Sequence, residues 1–258
     1  MDGATGPSAT QDGGGEGLTR EALLSRYLEG GFAEVHGWGM NKDLARIFGL
    51  INHFQQNRGI RGPLAEIGVQ DGRVLIVLAL FTAEGETAVG IDIFENQSEN
   101  LDRSGANTTY NTVVENCAVH APGARVKLIK ANSFRLAPED LERLRGFRFM
   151  HVDGGHYFEV VMNDLEIAQR MIGGGGVIVM DDYWHSGFPE VQEAVHRYFW
   201  TSPVIKAAPF MVGQNKLFLA SHEIRTDLLA FMRKSLPENR RRPVRVLSYE
   251  AICCDPEW

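Results

Sequence analysis

From about residue 63 the chain alternates between short apolar runs and longer segments whose apolar residues recur every three or four positions. Leu64–Val69, Thr87–Ile93, Arg125–Lys130, Phe147–Asp153 and Gly176–Asp181 have the length and composition of buried strands. Helical spacing is seen over Arg73–Phe81, a segment covering 108–120, Pro138–Leu144, Phe158–Ile172 and Pro189–Trp200. Two last runs, Val204–Met211 and Lys216–Ala220, are joined by Gly213-Gln214-Asn215, too short for a crossover. Strands separated by helices pair in parallel through right-handed crossovers, whereas strands joined by a tight turn are antiparallel. The pattern predicts an α/β fold: a doubly wound, mostly parallel seven-stranded sheet with one antiparallel strand near its edge. Ligands of such sheets lie beyond the carboxyl ends of the strands, so chemistry is expected just after each run.

The flanking segments differ. Residues 1–17 are rich in Gly, Ser, Thr and Asp and predict a disordered tail. Residues 18–60 predict two helices. The first, 18–30, puts Leu18, Leu23, Leu24, Tyr27 and Leu28 on one side and ends at Gly30-Gly31. The second, 41–57, is capped by Asn41 and presents Leu44, Ile47, Phe48, Ile51 and Phe54. Residues 61–221 form the core domain, and 222–258 predict one helix, Ile224–Leu236, followed by a tail. Gly173–Gly176 precedes a strand, so it reads as a flexible turn; phosphate cradles follow strands and open helices. Arg240, Arg241 and Arg242 read as solvated surface.

Composition narrows the function classes. A net charge of −7 argues against a nucleic-acid footprint, which is basic. Cys117, Cys253 and Cys254 have neither metal-ligand spacing nor the count of a disulfide framework. The chain has no basic n-region followed by an apolar run and no apolar stretch of membrane-spanning length, so a soluble, cytoplasmic protein without membrane contact is expected.

Three strand ends carry candidate chemistry. Glu66-Ile67-Gly68-Val69-Gln70-Asp71-Gly72 turns from strand to helix, with glycines that permit a sharp turn and close approach to a ligand. Its G-x-x-x-G spacing is neither a dinucleotide fingerprint nor a P-loop. A carboxylate at Glu66 repels a pyrophosphate and suits an ammonium group, such as that of the methionyl part of S-adenosylmethionine (SAM). Asp92 ends the next strand, where an acid can accept both hydroxyls of a ribose; a turn aspartate is the plainer reading. Asn132-Ser133, after the third strand, suits an adenine contact and equally suits a helix cap.

Asp153-Gly154-Gly155-His156 ends the fourth strand and Asp181-Asp182-Tyr183 the fifth. Neighbouring strands are about 4.8 Å apart, so three carboxylates converge. A divalent cation relieves their repulsion, and all-oxygen ligands favour Mg²⁺, Mn²⁺ or Ca²⁺. Such an ion activates a bound hydroxyl. The competing reading is that one aspartate caps a turn or pairs with a cation. His156 suits a general base, and equally suits orienting a ligand or capping the following helix. His185 is a rival base, and Trp38, Tyr183 and Trp184 are candidate pocket walls.

These residues resemble class I SAM-dependent methyltransferases, and within them the metal-dependent sugar O-methyltransferases of the macrocin and novobiocin tailoring type, with their cephalosporin-hydroxylase-like relatives. The resemblance spans roughly 30–221. It rests on Glu66-Ile67-Gly68-Val69…Gly72, Asp92, Asp153-Gly154-Gly155-His156, Asp181-Asp182-Tyr183, the Pro189…Ala194-Val195-His196 helix and Asn215-Lys216-Leu217-Phe218-Leu219. It implies SAM over the first two strand ends, a metal on Asp153, Asp181 and Asp182, and a hydroxylated sugar or other natural product as acceptor. Members with a second acid two residues after the first metal aspartate can use it as the base. That position is Gly155 here, which leaves His156 as the substitute. The resemblance also implies a substrate lid before residue 60 and pairing into a homodimer. A metal-dependent enzyme of other chemistry, such as a hydroxylase, and a non-catalytic SAM-binding protein are the rival expectations.

Overall fold

The computed structural model describes residues 18–38, 40–105, 108–136 and 145–254. The expected helix over 138–144 and the tail over 1–17 lie outside the described residues.

The strands are β1 (Leu64–Ile67), β2 (Ala88–Asp92), β3 (Val126–Lys130), β4 (Phe147–Val152), β5 (Ile172–Met180), β6 (Ala207–Gly213), β7 (Lys216–Ser221), β8 (Arg241–Val246) and β9 (Tyr249–Cys254). They form one sheet in the order β3-β2-β1-β4-β5-β7-β6-β9-β8. The first five are parallel, and β7 runs antiparallel to both β5 and β6. The doubly wound, mostly parallel architecture is therefore as expected. β1 and β4 are buried at every position, as central strands covered on both faces must be.

The sheet has nine strands rather than seven. The segment read as a basic tail folds into the β8–β9 hairpin, and β9 pairs in parallel with β6. Burial of Ala251, Ile252, Cys253 and Cys254 against the sheet drives this addition. Its turn, Leu247-Ser248, has two residues at positive φ without the Asn-Gly signature that announces such hairpins. A second correction concerns Gly173–Gly176, which belongs to β5 and not to a turn before it. Between the pairs Phe147↔Ile172 and Phe149↔Val177 the glycine-bearing strand gains residues on its partner, as a bulge does.

Helices cover both faces: α1 (Arg20–Arg26), α2 (Lys42–Asn57), α3 (Arg73–Phe81), α4 (Tyr110–His120), α5 (Phe158–Met171), α6 (Pro189–Thr201) and α7 (Arg225–Ser235). Thr19 and Asn41 cap α1 and α2 by accepting from Ala22 N and Leu44 N. Gly30-Gly31 does not end the first helix, because a π-turn over Tyr27–Gly31 carries the chain on to Glu34. A Cβ on Gly31 would lie 3.0 Å from the His120 ring, so this glycine permits close packing. α2 packs into the core, with the Phe48 ring against Phe149 and Phe218. Ahead of α2, Trp38 lines the cavity described next.

Candidate active site

A cavity of about 620 Å³ opens beyond the carboxyl ends of β1 to β5. Its wall includes Gly68, Asp92, Asn132, Ser133, Asp153, His156, Asp181 and Asp182. Eight of the predicted positions thus come together from five strand ends, and Glu66 and Gly72 are not part of the wall.

The floor is set by one close backbone approach. Gly68 has φ +81°, and a Cβ there would lie 1.8 Å from the carbonyl oxygen of Asp153. The β1 turn and the end of β4 can meet only without a side chain at this position. Gly68→Ala is therefore expected to lose more than about 2 kcal/mol of stability, read as a lower urea midpoint. An unchanged midpoint would contradict this packing argument. Gly72, with φ +91°, is the N-cap of α3.

Asp92 serves the turn first. Its Oδ2 accepts from Val69 N at 2.6 Å and Gln70 N at 3.0 Å, and its Oδ1 accepts from Phe94 N at 2.6 Å. Asn132 Oδ1 accepts from Phe134 N at 3.0 Å, the capping role weighed for it from sequence.

The three aspartates differ in their partners. Asp181 accepts from the buried ammonium of Lys216 and lies 3.3 Å from His151 Nε2. Burial opposes its ionisation, but Lys216 and His151 hold its carboxyl well below the usual range. Asp182 sits at φ +54°, a left-handed conformation that aspartate tolerates better than most residues. There its Oδ1 accepts from Asn215 Nδ2 at 2.7 Å and its Oδ2 lies 2.9 Å from His156 Nε2. The Asp153 carboxyl has no hydrogen-bond or ion-pair partner among the described residues, while its backbone N–H donates to Ile67 O at 2.8 Å. Burial and then the Asp181 charge push its carboxyl well above the ordinary value, against the pull of His151 and Lys216. Two overlapping sets, His151-Asp153-Asp181 and Asp153-His156-Asp182, place one ligand atom per residue within 4.8 Å of one another.

Three further groups escaped the sequence reading. Asp102, in the loop after β2, accepts from His156 N at 2.6 Å and lies 2.8 Å from His156 Nδ1. Nothing local marks it, since it is 54 positions away from its partner. His151 lies fully buried within β4, its Nδ1 3.0 Å from Glu66 Oε1. Glu66, expected to face an ammonium group, thus faces an imidazole below the floor. The pattern within β4 could have drawn attention to His151, which with Arg148 interrupts an otherwise apolar run. Lys216 follows the Asn215 turn and is 2% exposed.

His156 stacks on Phe188 with ring centroids 3.7 Å apart. Burial disfavours its charge, but Asp102 and Asp182 raise its pKa to about 9. Of the predicted walls, Trp38 lines the cavity and Tyr183 does not. Tyr183 is buried in the core, with its hydroxyl 3.0 Å from His196 Nε2. His185 also lines the cavity, but its Nδ1 accepts from Gly187 N at 3.1 Å.

Burial also disfavours the charged form of His151, yet Asp181 and Glu66 push its pKa up to about 9. A histidine raised above its unfolded value, about 6.5, contributes stability that is fully present below that value and lost as pH rises through the folded one. Stability is therefore expected to fall between pH 7 and 9.5, with a shallower fall in His151→Gln, as read from urea midpoints. Equal slopes in the two proteins would exclude His151 as a source.

Comparison with known proteins agrees with this architecture. Residues 65–183 match a family described as a methyltransferase domain. The match runs from β1 to just past the end of β5, the stretch that carries most of the motif resemblance. The O-methyltransferase NovP superposes with a TM-score of 0.57 at 16% identity, over 69% of this chain and 79% of that one. An O-methyltransferase from Bacillus cereus, solved with SAH, gives 0.52 at 17% identity, over 79% and 90%. CalS11, a TDP-rhamnose 3'-O-methyltransferase of calicheamicin biosynthesis, gives 0.50 at 14% identity, over 78% and 92%. An uncharacterized protein, R132, of Acanthamoeba polyphaga mimivirus is 30% identical over 150 residues, 56% of this chain. The chain spans 62% of the length of that curated relative. No helix among the described residues is long and apolar enough to cross a membrane.

Proposed function

We propose that this protein transfers the methyl group of SAM to a hydroxyl of a small substrate, a sugar or other natural product, with the help of a divalent cation. The observation that carries the metal is Asp153: a half-buried carboxylate with no side-chain hydrogen bond among the described residues, beside two more carboxylates, at the floor of a ligand-sized cavity. Uncompensated, that arrangement is costly, and a cation is its natural complement. Asp153, Asp181 and Asp182 are the ligands we assign, for Mg²⁺, Mn²⁺ or Ca²⁺. When bound, the ion supplies Lewis acidity toward the acceptor hydroxyl.

The chain's own residues account for the rest. Gly68 and Asp92 line the SAM side of the cavity, with Asn132 and Ser133 toward the base. With a cation on Asp182, one of the two carboxylates that keep His156 charged is offset; the His156 Nε2 then receives the hydroxyl proton, and Asp102 holds Nδ1 so that Nε2 faces the aspartates. The cavity walls align methyl donor and acceptor, which supplies much of the rate. Sugar acceptors are favoured by analogy with CalS11, a TDP-rhamnose 3'-O-methyltransferase. Methyl-labelled SAM, incubated with the protein and a panel of sugar and phenol acceptors, is expected to give product that EDTA suppresses and Mg²⁺ restores. Calorimetry showing uptake of neither SAH nor Mg²⁺ would refute the assignment.

A further inference from the structure

Asp164, on the inward side of α5, is an acid at this cavity that the proposed reaction does not use. It is 1% exposed, yet it belongs to the cavity wall. Its partners are neutral. Asn163 Nδ2 donates to Oδ1 at 3.1 Å, and the Ser133 side chain bonds the carboxyl group. Burial pushes the carboxyl up to about 6, and no cation among the described residues counters it. Its Oδ2 lies over the end of β4: a Cβ on Gly154 would come within 2.4 Å of it. A buried carboxyl held only by neutral donors has acceptor capacity left for a ligand N–H.

The layout of the cavity indicates which N–H. The acidic end, at β4 and β5, is where the transferred methyl must lie. Asp92 ends β2, and Asn132 to Phe134 follow β3 on the far edge of the sheet. A nucleoside whose sugar is at Asp92 therefore turns its base toward Ser133, the residue that bonds Asp164. Adenine presents an exocyclic amine there, a donor facing an acceptor.

We infer that Asp164 reads the exocyclic amine of the cofactor's adenine, accepting its N–H, and so makes the site selective for adenine over bases carrying a keto oxygen at that position. The inference rests on the SAM reading above. A keto oxygen would face the carboxylate acceptor to acceptor, and an amide at the same position would not discriminate, because it both donates and accepts.

The test is calorimetric and needs no acceptor substrate. The full chain is titrated with S-adenosylhomocysteine and with its deaminated analogue, S-inosylhomocysteine, and both titrations are repeated on Asp164→Asn. Wild type is expected to prefer the adenosyl ligand by about 50-fold or more, and the variant by less than about fivefold, with thermal unfolding confirming that the variant is folded. Equal binding of the two ligands to wild type overturns the inference. So does a variant that weakens both ligands alike, which is the signature of a purely structural hold on Ser133. Should the variant fail to fold, the wild-type preference decides alone. If wild type binds neither ligand, the SAM reading and this inference fall together. If it binds the adenosyl ligand without discrimination, only this inference falls.

Discussion

Asp153→Asn is expected to abolish Mg²⁺ uptake and to lower methyl transfer by about a thousandfold or more, while SAH affinity stays within about threefold of wild type. The physical reason is the asymmetry among the three aspartates. Asp181 and Asp182 are already partnered, by Lys216 and by Asn215 and His156, whereas the Asp153 carboxyl has no direct partner among the described residues. The same substitution should raise the melting temperature of the metal-free protein, because it removes an ionisable carboxyl whose charge Asp181 and Asp182 oppose. It should also erase the further stabilisation that Mg²⁺ confers on wild type by mass action. Thermal unfolding with and without Mg²⁺ separates these effects. A variant that keeps the Mg²⁺-induced shift would show that the cation binds elsewhere.

Lys216→Met carries the largest expected effect on stability. Lys216 is almost fully buried, and its ammonium meets the Asp181 carboxylate. Methionine fills similar space but leaves Asp181 beside Asp153 with only His151 to balance two acids. Breaking one side of a buried ion pair costs about 3–5 kcal/mol, which for a chain of this size is a melting-temperature loss of roughly 10 °C. Adding Asp181→Asn to Lys216→Met should recover most of that loss, since neither charge then stands alone. A double variant as unstable as the single one would mean that the lysine stabilises through packing of its aliphatic stem.

The two predictions draw on residues of unequal visibility. Asp153, Asp181 and Asp182 were legible because each ends a recognisable strand, and adjacent parallel strands bring their ends together. Lys216 and Asn215 lie in the hairpin beyond, and only the antiparallel pairing of β7 with β5 carries them to the acid cluster. Asp102 and Asp164 reach the site from a loop and a helix face, where their residue types have many ordinary uses.

What the sequence determined by itself is the alternation that makes a parallel sheet, the helices with their caps and apolar faces, and the strand ends where chemistry collects. These depend on periodicity and on neighbours a few positions apart, which local composition records. The tertiary structure alone decided that the C-terminal segment becomes β8 and β9, that four glycines enter β5 as a bulge, and which charge partners which acid. Those outcomes depend on burial against distant strands and on electrostatic contacts between residues tens of positions apart, information that no local window of the chain contains.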